Sequence, residues 1–305
     1  MNQPMHTFSI VARDPETGEM GVAVQSHWFS VGALCPWAEA EVGAIATQSF
    51  VNVSFGPRGL ELLRAGHSAP EVVQTLIDAD EGREVRQLAV VDAQGNAAAH
   101  TGSGCVPAAG HVLGAGYSAQ ANLMLNDRVW PAMAAAYEAS RGPLAERMVA
   151  ALEGAQGAGG DIRGKQSAAL IVVRAKSTGQ SWEDRVVDLR VEDHEEPVAE
   201  IKRLLRVHRA YEHMNGGDLA LEAGDVEGAL AAYRAAQGMF PDNLEMRYWH
   251  AVSLANLGRV EEALPIFAAV FAGDPNWRTL TGRLPAVGLL DVSEADLERI
   301  VELGD

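Results

Sequence analysis

The chain has 305 residues, a formal net charge of −17 and 48% hydrophobic residues. This length is sufficient for two domains, each with a core of its own. The negative charge disfavours binding to nucleic acids and to anionic lipid, whose phosphates repel it. No apolar run approaches the ~18 residues of a membrane span, and the first residues lack the pattern of a signal peptide. We therefore predict a protein of the cytoplasm that binds neither nucleic acid nor membrane.

The N-terminal part of the sequence begins with predicted strands at 7–13, 20–26 and 43–50 and predicted helices at 59–65 and 69–78. Strands are then predicted at 85–92, 96–101 and 116–122, helices at 127–140 and 143–157, and strands at 166–174 and 184–191. A turn at 14–18 joins the first two strands into a hairpin. Runs of strands separated by helix pairs predict an α+β fold with two sheets, each covered by two helices.

The C-terminal part contains a repeat with a period of 34 residues. Gly224, Ala229, Leu230, Tyr233 and Pro241 recur as Gly258, Ala263, Leu264, Phe267 and Pro275. The period and the residue types resemble the tetratricopeptide repeat, a pair of helices that stacks on its copies. Helices are predicted at about 204–223, 226–239, 244–257 and 260–271, with a closing helix after a cap at Ser293.

A charged segment at 191–200 separates these two parts of the sequence. It predicts one domain over residues 1–195 and a helical repeat domain over residues 196–305. Two repeats are fewer than the ~3 that a stable array usually needs. We therefore expect the repeats to dock on the first domain or on a second subunit, and we predict a homodimer. A protein partner that binds through the repeats is also predicted.

Thr7 begins the first predicted strand, and the hairpin returns Gln25, Ser26 and His27 beside it. A hydroxyl is a poor nucleophile at neutral pH unless a base and an anion-stabilising group are close. Thr7 is therefore a candidate nucleophile, although a β-branched residue here is equally typical of an ordinary strand. His27 is likewise either a general base or a packed strand residue.

Four further residues are candidates for a site. Cys105 ends a glycine-rich segment and is either a thiol nucleophile, with His100 or His111 as its base, or a buried inert thiol. Arg58 begins a predicted helix and either grips a carboxylate or is solvated. The two cysteines, Cys35 and Cys105, stand in no metal-ligand spacing, and the histidines and carboxylates do not cluster. We predict no metal, no organic cofactor and no disulfide.

Several sequence blocks resemble the bacterial family catalogued as domain of unknown function 1028. The blocks lie at 7–14 (TFSIVARD), 21–27 (GVAVQSH), 46–50 (ATQSF), 56–63 (GPRGLELL), 116–122 (GYSAQAN) and 159–170 (GGDIRGKQSAAL). The order of strands and helices resembles that of the N-terminal-nucleophile hydrolases. That resemblance implies a four-layer αββα sandwich, although a fold does not by itself fix a reaction.

The resemblance also implies roles for individual residues. Thr7 takes the place of the nucleophile, with Gln25, Ser26 and His27 positioning it, Asn122 stabilising the oxyanion and Asp161 acting as an acidic anchor. Thr47, Gln48 and Ser49 lie on the third strand, where proteasome subunits carry a lysine, and this sequence has no lysine before Lys165. Together with Arg58, His100 and Cys105, these three are the predicted substrate-binding residues.

In N-terminal-nucleophile hydrolases, the free α-amine of the nucleophile is the base, because its pKa of about 8 suits proton transfer at neutral pH. Six residues precede Thr7. Residues 1–6 are removed, or translation starts at Met5 and trimming proceeds past His6, or another base serves.

The predicted function is hydrolysis of a carbon–nitrogen bond in a small amide or ureide. The alternative is a protein that keeps the fold but only binds a small ligand or a partner.

Overall fold

A computed structural model of the protein describes residues 4–303. The chain divides into two compact units, Met1–Leu205 and Arg206–Asp305. The boundary predicted from the charged segment lies earlier, at 195/196. One continuous helix, Pro197–Glu222, begins within this segment and includes residues on both sides of the division at 205/206.

The strands of the N-terminal unit form two antiparallel sheets. In the first sheet, β5 pairs with three strands and β6 pairs with the last one, β7. Its members are β1 (Pro4–Met5), β4 (Pro36–Glu39), β5 (Gly43–Phe50), β6 (Arg86–Asp92) and β7 (Ala97–Thr101). The second sheet has the order β11 (Arg185–Val191), β10 (Ser167–Val173), β3 (Met20–Ser26), β2 (Thr7–Arg13), β9 (Tyr117–Ala121) and β8 (Gly110–Gly114).

Three hydrophobic cores hold these elements together. One lies between the two sheets and includes Val11, Val22 and Ala89. A second packs the first sheet on α1 (Phe55–Arg64) and α2 (Ala69–Asp78). The third packs the second sheet on α3 (Val129–Ala139), α4 (Leu144–Gly157) and the start of α5 (Pro197–Glu222). Burial of this apolar surface is the main force that stabilises the unit.

The hairpin between β2 and β3 forms as predicted. The Asp14 side chain accepts hydrogen bonds from the backbone N–H groups of Glu16 and Thr17 at 2.8 and 3.0 Å. Gly18 takes a φ of +77°, which glycine adopts without strain. The resulting register places Thr7 opposite Ser26. Local turn chemistry therefore brings these two hydroxyls together.

The structure confirms the mixed α+β fold and differs from the prediction in several elements. The short strands β1, β4 and β8 were not predicted, since two to five residues give too little alternation, and proline begins two of them. Helix α1 starts at Phe55 and not at 59, because a proline is tolerated in the first turn. The first helix of the repeats starts at Pro197 and not at about 204.

The C-terminal unit is helical. After α5 come α6 (Val226–Met239), α7 (Leu244–Asn256), α8 (Val260–Gly273), α9 (Asn276–Thr281), which was not predicted, and α10 (Glu294–Val301). Tyr233 and Phe267, the paired aromatic residues of the repeat, are both fully buried. Ser293 caps α10 by accepting from the backbone N–H of Asp296, as the sequence predicts. Among residues 4–303, no helix is long and apolar enough to cross a membrane.

Gly21 on β3 tests how closely the second sheet is packed. A Cβ at this position would lie 2.4 Å from the backbone oxygen of Ile171 on the neighbouring β10. Because that atom belongs to a central strand, we expect Gly21→Ala to destabilise the protein by about 1–3 kcal/mol, as overpacking usually does. Denaturant unfolding followed by circular dichroism measures the effect. Gly157→Ala in α4 is the matched control, since no atom lies within 4 Å of its added Cβ, and equal stabilities of the two variants would contradict the prediction.

Candidate functional site

Thr7 begins β2 and lies fully buried between two neighbouring strands. On one side, Ser26 is its register partner. On the other side, the backbone N–H of Asn122, which follows β9, donates to the Thr7 carbonyl at 3.1 Å. The Thr7 hydroxyl lies 3.1 Å from Ser26 Oγ and 3.0 Å from the carbonyl oxygen of Met5. The predicted nucleophile therefore sits among polar groups in the interior.

The chain passes from one sheet to the other at His6. Met5 pairs with Ser49 in the first sheet, and Thr7 pairs with Ser26 in the second. The His6 carbonyl, between them, accepts from Ser26 Oγ at 2.5 Å and from Arg163 Nη2 at 2.9 Å. Two donors on one carbonyl oxygen polarise the carbonyl and stabilise negative charge that develops there.

Asp161 holds Arg163 in place. Its carboxylate accepts from Arg163 Nη2 at 2.7 Å, from Nε at 3.1 Å and from the Arg163 backbone N–H at 2.9 Å. The same carboxylate also accepts from the backbone N–H of His27, at 3.3 Å. The Asp161 side chain is completely buried, whereas that of Arg163 is 29% exposed. A buried carboxylate paired in this bidentate way fixes the direction of the guanidinium.

A chain of three buried amides links the sheets beneath the site. Gln87 Nε2 on β6 donates to the carbonyl oxygens of Ala121 and Gly110, at 2.9 and 3.2 Å. A carbonyl oxygen can only accept, so these contacts fix which end of the Gln87 amide is nitrogen. Gln87 Oε1 then accepts from Gln48 Nε2 at 2.7 Å and from Asn122 Nδ2 at 2.8 Å. Gln48 Nε2 also donates to the Thr7 carbonyl, at 3.1 Å.

The same chain of amides sets the tautomer of His6. With Asn122 Nδ2 directed to Gln87, Asn122 Oδ1 faces His6 Nδ1 at 2.8 Å. An amide oxygen accepts, so His6 Nδ1 carries the proton. Burial is the main cause that lowers the pKa of His6, and the Arg163 cation lowers it further. The imidazole is therefore neutral at neutral pH.

A cavity of about 720 Å³ lies beside this network. Its lining includes Cys105, His111 and Trp130, whereas Thr7 does not line it. Thr101, also in the lining, contacts His111 Nδ1 at 2.9 Å and accepts from Gln87 Nε2 at 2.9 Å. Burial raises the pKa of the Cys105 thiol, which donates to the Arg86 carbonyl. Cys105 therefore stays a thiol at neutral pH, and a thiolate nucleophile is disfavoured.

Two residues beside the site adopt a left-handed backbone that is unusual for side chains other than glycine. Ser49, opposite Met5, has a φ of +69°, and Leu123, directly after Asn122, has a φ of +56°. Each such residue costs of order 1 kcal/mol or more, and such strain concentrates at functional sites. Both strained residues adjoin groups of the polar network.

The structure brings five of the predicted residues together: Thr7, Ser26, Asn122, Asp161 and Gln48. Gln25 is fully buried but lies on the other face of β3 from Ser26, because successive strand residues alternate. Neither atom of its amide has a hydrogen-bond partner among the described residues. The His27 ring lies 3.3 Å from the Lys165 carbonyl, and the hydrogen bond from His27 to Asp161 comes from the backbone N–H.

The structure places the remaining predicted substrate-binding residues apart from Thr7, with the exception of Ser49. The Thr47 hydroxyl donates to the Asn52 carbonyl. Arg58 is exposed on α1. His100 Nε2 lies 2.9 Å from the Arg83 carbonyl, and Cys105 lines the cavity.

Three residues of the site were not predicted: His6, Gln87 and Arg163. Arg163 stands two residues after Asp161, in the block at 159–170 that resembles the family. A cation so close to a candidate buried acid was a usable signal. Gln87 is an amide inside a strand that is otherwise mostly apolar, which also marks it. Within residues 4–303, no group of three or more His, Cys, Asp or Glu side chains could hold a metal ion.

Comparison with known proteins identifies the family. Residues 7–201 match the model of a family described as "Family of unknown function (DUF1028)", and residues 214–276 match a tetratricopeptide repeat. The chain belongs to the DUF1028 family. A crystal structure of a DUF1028 protein from Silicibacter pomeroyi is similar, with 33% sequence identity and a TM-score of 0.60. That match covers 66% of this chain and 88% of the other. No curated protein matches the chain. The predicted family and repeats are thereby confirmed.

Two histidines of this region, the buried His6 and the partly buried His111, predict how stability depends on pH. Burial lowers the pKa of both His6 and His111 from the ordinary value of 6.5. Well above pH 6.5 both rings are neutral in the folded and unfolded states, so they do not make the free energy of unfolding depend on pH. As the pH falls below 6.5, the unfolded chain binds protons first, and the free energy of unfolding decreases. Urea unfolding at pH 7.5 and 5.5 measures this loss, which His111→Gln should reduce; a pH dependence equal to that of the unchanged protein would contradict the prediction.

Proposed function

We propose that the protein is a cytoplasmic hydrolase that cleaves a carbon–nitrogen bond in a small amide or ureide, with the Thr7 hydroxyl as nucleophile. The observation that carries this proposal is the convergence of Ser26 Oγ and Arg163 Nη2 on the carbonyl oxygen adjoining Thr7. We also propose that the N-terminal unit is a four-layer αββα sandwich of the N-terminal-nucleophile hydrolase type. The succession of helix pair, sheet, sheet and helix pair across the three cores supports it.

The nucleophile requires a processing step in this proposal. The backbone nitrogen of Thr7 is bonded to His6 and is no base, while residues 1–3 lie outside the described part of the chain. Thr7 Oγ1 attacks the His6 carbonyl carbon, the carbon–nitrogen bond breaks, and the hydroxyl proton passes to the departing nitrogen. Water then hydrolyses the ester, which leaves a carboxylic acid on His6 and restores the hydroxyl of Thr7 beside its new amine. That amine is the base for later turnover.

Removal of residues 1–6 would free several side chains that now contact this segment. Ser26 Oγ and Arg163 lose the His6 carbonyl, and Asn122 Oδ1 loses the imidazole. In the proposed enzyme, Ser26 and Arg163 stabilise the oxyanion of the substrate, Asn122 binds the substrate, and Asp161 keeps Arg163 directed at the site. Gln48 holds the Thr7 carbonyl, and the cavity at Cys105 supplies room for the rest of the substrate. Ser49 stays a proposed substrate contact.

The mass and N-terminal residue of the untagged, purified protein test this proposal. We expect loss of residues 1–6, and we expect Thr7→Ala to abolish both this loss and the release of ammonia from a panel of primary amides and ureides. Arg163→Ala should slow processing by about 10²–10³-fold, since it removes one oxyanion donor.

Arg58→Ala is the matched control, because Arg58 is exposed on α1 and should process like the unchanged protein. Circular dichroism shows whether each variant is folded. An unchanged protein that keeps residues 1–6, or a folded Thr7→Ala variant that loses them, would overturn the proposal.

The repeats support a second candidate function, the binding of a protein partner. A groove of about 500 Å³ lies within the C-terminal unit, and its lining combines apolar side chains with three carboxylates, those of Asp218, Glu222 and Glu245. No lysine or arginine is among the lining residues that the structure describes. Such a groove favours a cationic, partly apolar segment of a partner. A homodimer remains a proposal beside it.

A fluorescent twelve-residue peptide of leucine and lysine is the probe for this groove. We expect it to bind the full-length protein, to bind more weakly as salt is raised, and to lose at least tenfold in affinity with Glu222→Lys. Glu298→Lys, on the exposed surface of α10, makes the same charge change elsewhere. Equal losses in both variants, measured by fluorescence anisotropy, would show attraction to net charge alone and would count against the groove.

A further inference from the structure

The His6 side chain fills a closed pocket next to the proposed nucleophile. His6 is 5% exposed, and its ring stands nearly perpendicular to that of Phe50, at 89°, with 5.9 Å between the ring centroids. Its carbonyl carbon is the one that the Thr7 hydroxyl attacks in the proposed processing step. The His6 ring therefore occupies the place that the acyl side of a substrate would take during turnover.

The hydrogen-bonding polarity of this pocket is fixed by backbone atoms. Two carbonyl oxygens orient the Gln87 amide, and Gln87 Oε1 orients the Asn122 amide. Asn122 Oδ1 is the atom that faces the ring. Turning the Asn122 amide around would break its bond to Gln87 and place two oxygens together, which costs a buried hydrogen bond. The pocket therefore offers an acceptor, and its occupant must donate.

The charge of the occupant is constrained as well. A cation would lose its hydration in this buried place and would lie near the Arg163 guanidinium. These two effects outweigh the contact with Asn122 and the attraction of the Asp161 carboxylate, because the pKa of the present imidazole is lowered. A carboxylate would direct its oxygens at Asn122 Oδ1 and would be repelled. A purely apolar group would leave Asn122 Oδ1 without a donor, which costs about 1–3 kcal/mol.

We infer that the His6 pocket recognises an uncharged planar group with an N–H donor on the substrate, in the class of carboxamides, ureides and imidazoles. This inference rests on the proposed function, because it names the substrate class of that same site. Phe50 and Asn122 are the residues that set this specificity, Phe50 through its perpendicular contact with a planar group and Asn122 through its oxygen.

Variants of His6 in the full chain test the inference through the rate of processing. The chain is made by cell-free synthesis, and mass spectrometry follows the appearance of the Thr7 terminus with time. We expect His6→Asn and His6→Gln, which keep a neutral planar donor, to process within about threefold of the unchanged chain. His6→Leu, His6→Asp and His6→Lys should process at least tenfold more slowly.

A second measurement does not depend on the folding of these variants. Imidazole and propionamide should raise the melting temperature of the processed protein, whereas propionate and propylamine should not. An unchanged chain that never loses residues 1–6 would overturn the proposed function itself. Two outcomes would overturn only the inference about the pocket. One is that all His6 variants lose residues 1–6 equally fast, and the other is that the processed protein binds propionate as well as propionamide.

Discussion

The passage of the chain from one sheet to the other at His6 is the constraint on which the rest of the site depends. Met5 is tied to β5 and Thr7 to β3, so the peptide unit between them has little freedom to move. Its carbonyl lies where Ser26 and Arg163 can both donate to it. Because the chain is held on both sides of this crossing, the His6 carbonyl is placed more precisely than a group on a free side chain would be.

Below this crossing, polar groups fill a space that apolar side chains occupy elsewhere between the sheets. Gln48, Gln87 and Asn122 are fully buried, and each finds partners in the others or in backbone carbonyls. Buried amides are tolerated only when they are hydrogen-bonded, and a satisfied network is rigid. The donors and acceptors of the network can be arranged in only one way, because the backbone carbonyls at its end cannot donate. A preorganised arrangement of this kind suits catalysis, since its dipoles need not reorient during reaction.

Much of this could be predicted from the sequence, and the rest depended on long-range geometry. Alternating hydrophobicity and turn chemistry predicted β2 and β3, and with them the pairing of Thr7 and Ser26. The 34-residue period predicted the repeats. Arg163 and Gln87 escaped prediction because their roles come from contacts with residues 157 and 35 positions away. Gln25 was misleading for a simpler reason, since one step along a strand turns a side chain to the other face.

The contact between Arg163 and His6 forms late in the synthesis and folding of each molecule. A ribosome makes residue 6 long before residue 163, and the two become neighbours only when the second sheet has closed around β2. Until then, the His6 carbonyl lacks its cationic donor, and the His6 ring lacks its contact with Asn122. The nascent chain therefore carries an ordinary peptide bond at this position. Completion of the fold gives that bond its special surroundings, so any chemistry at it is timed by folding.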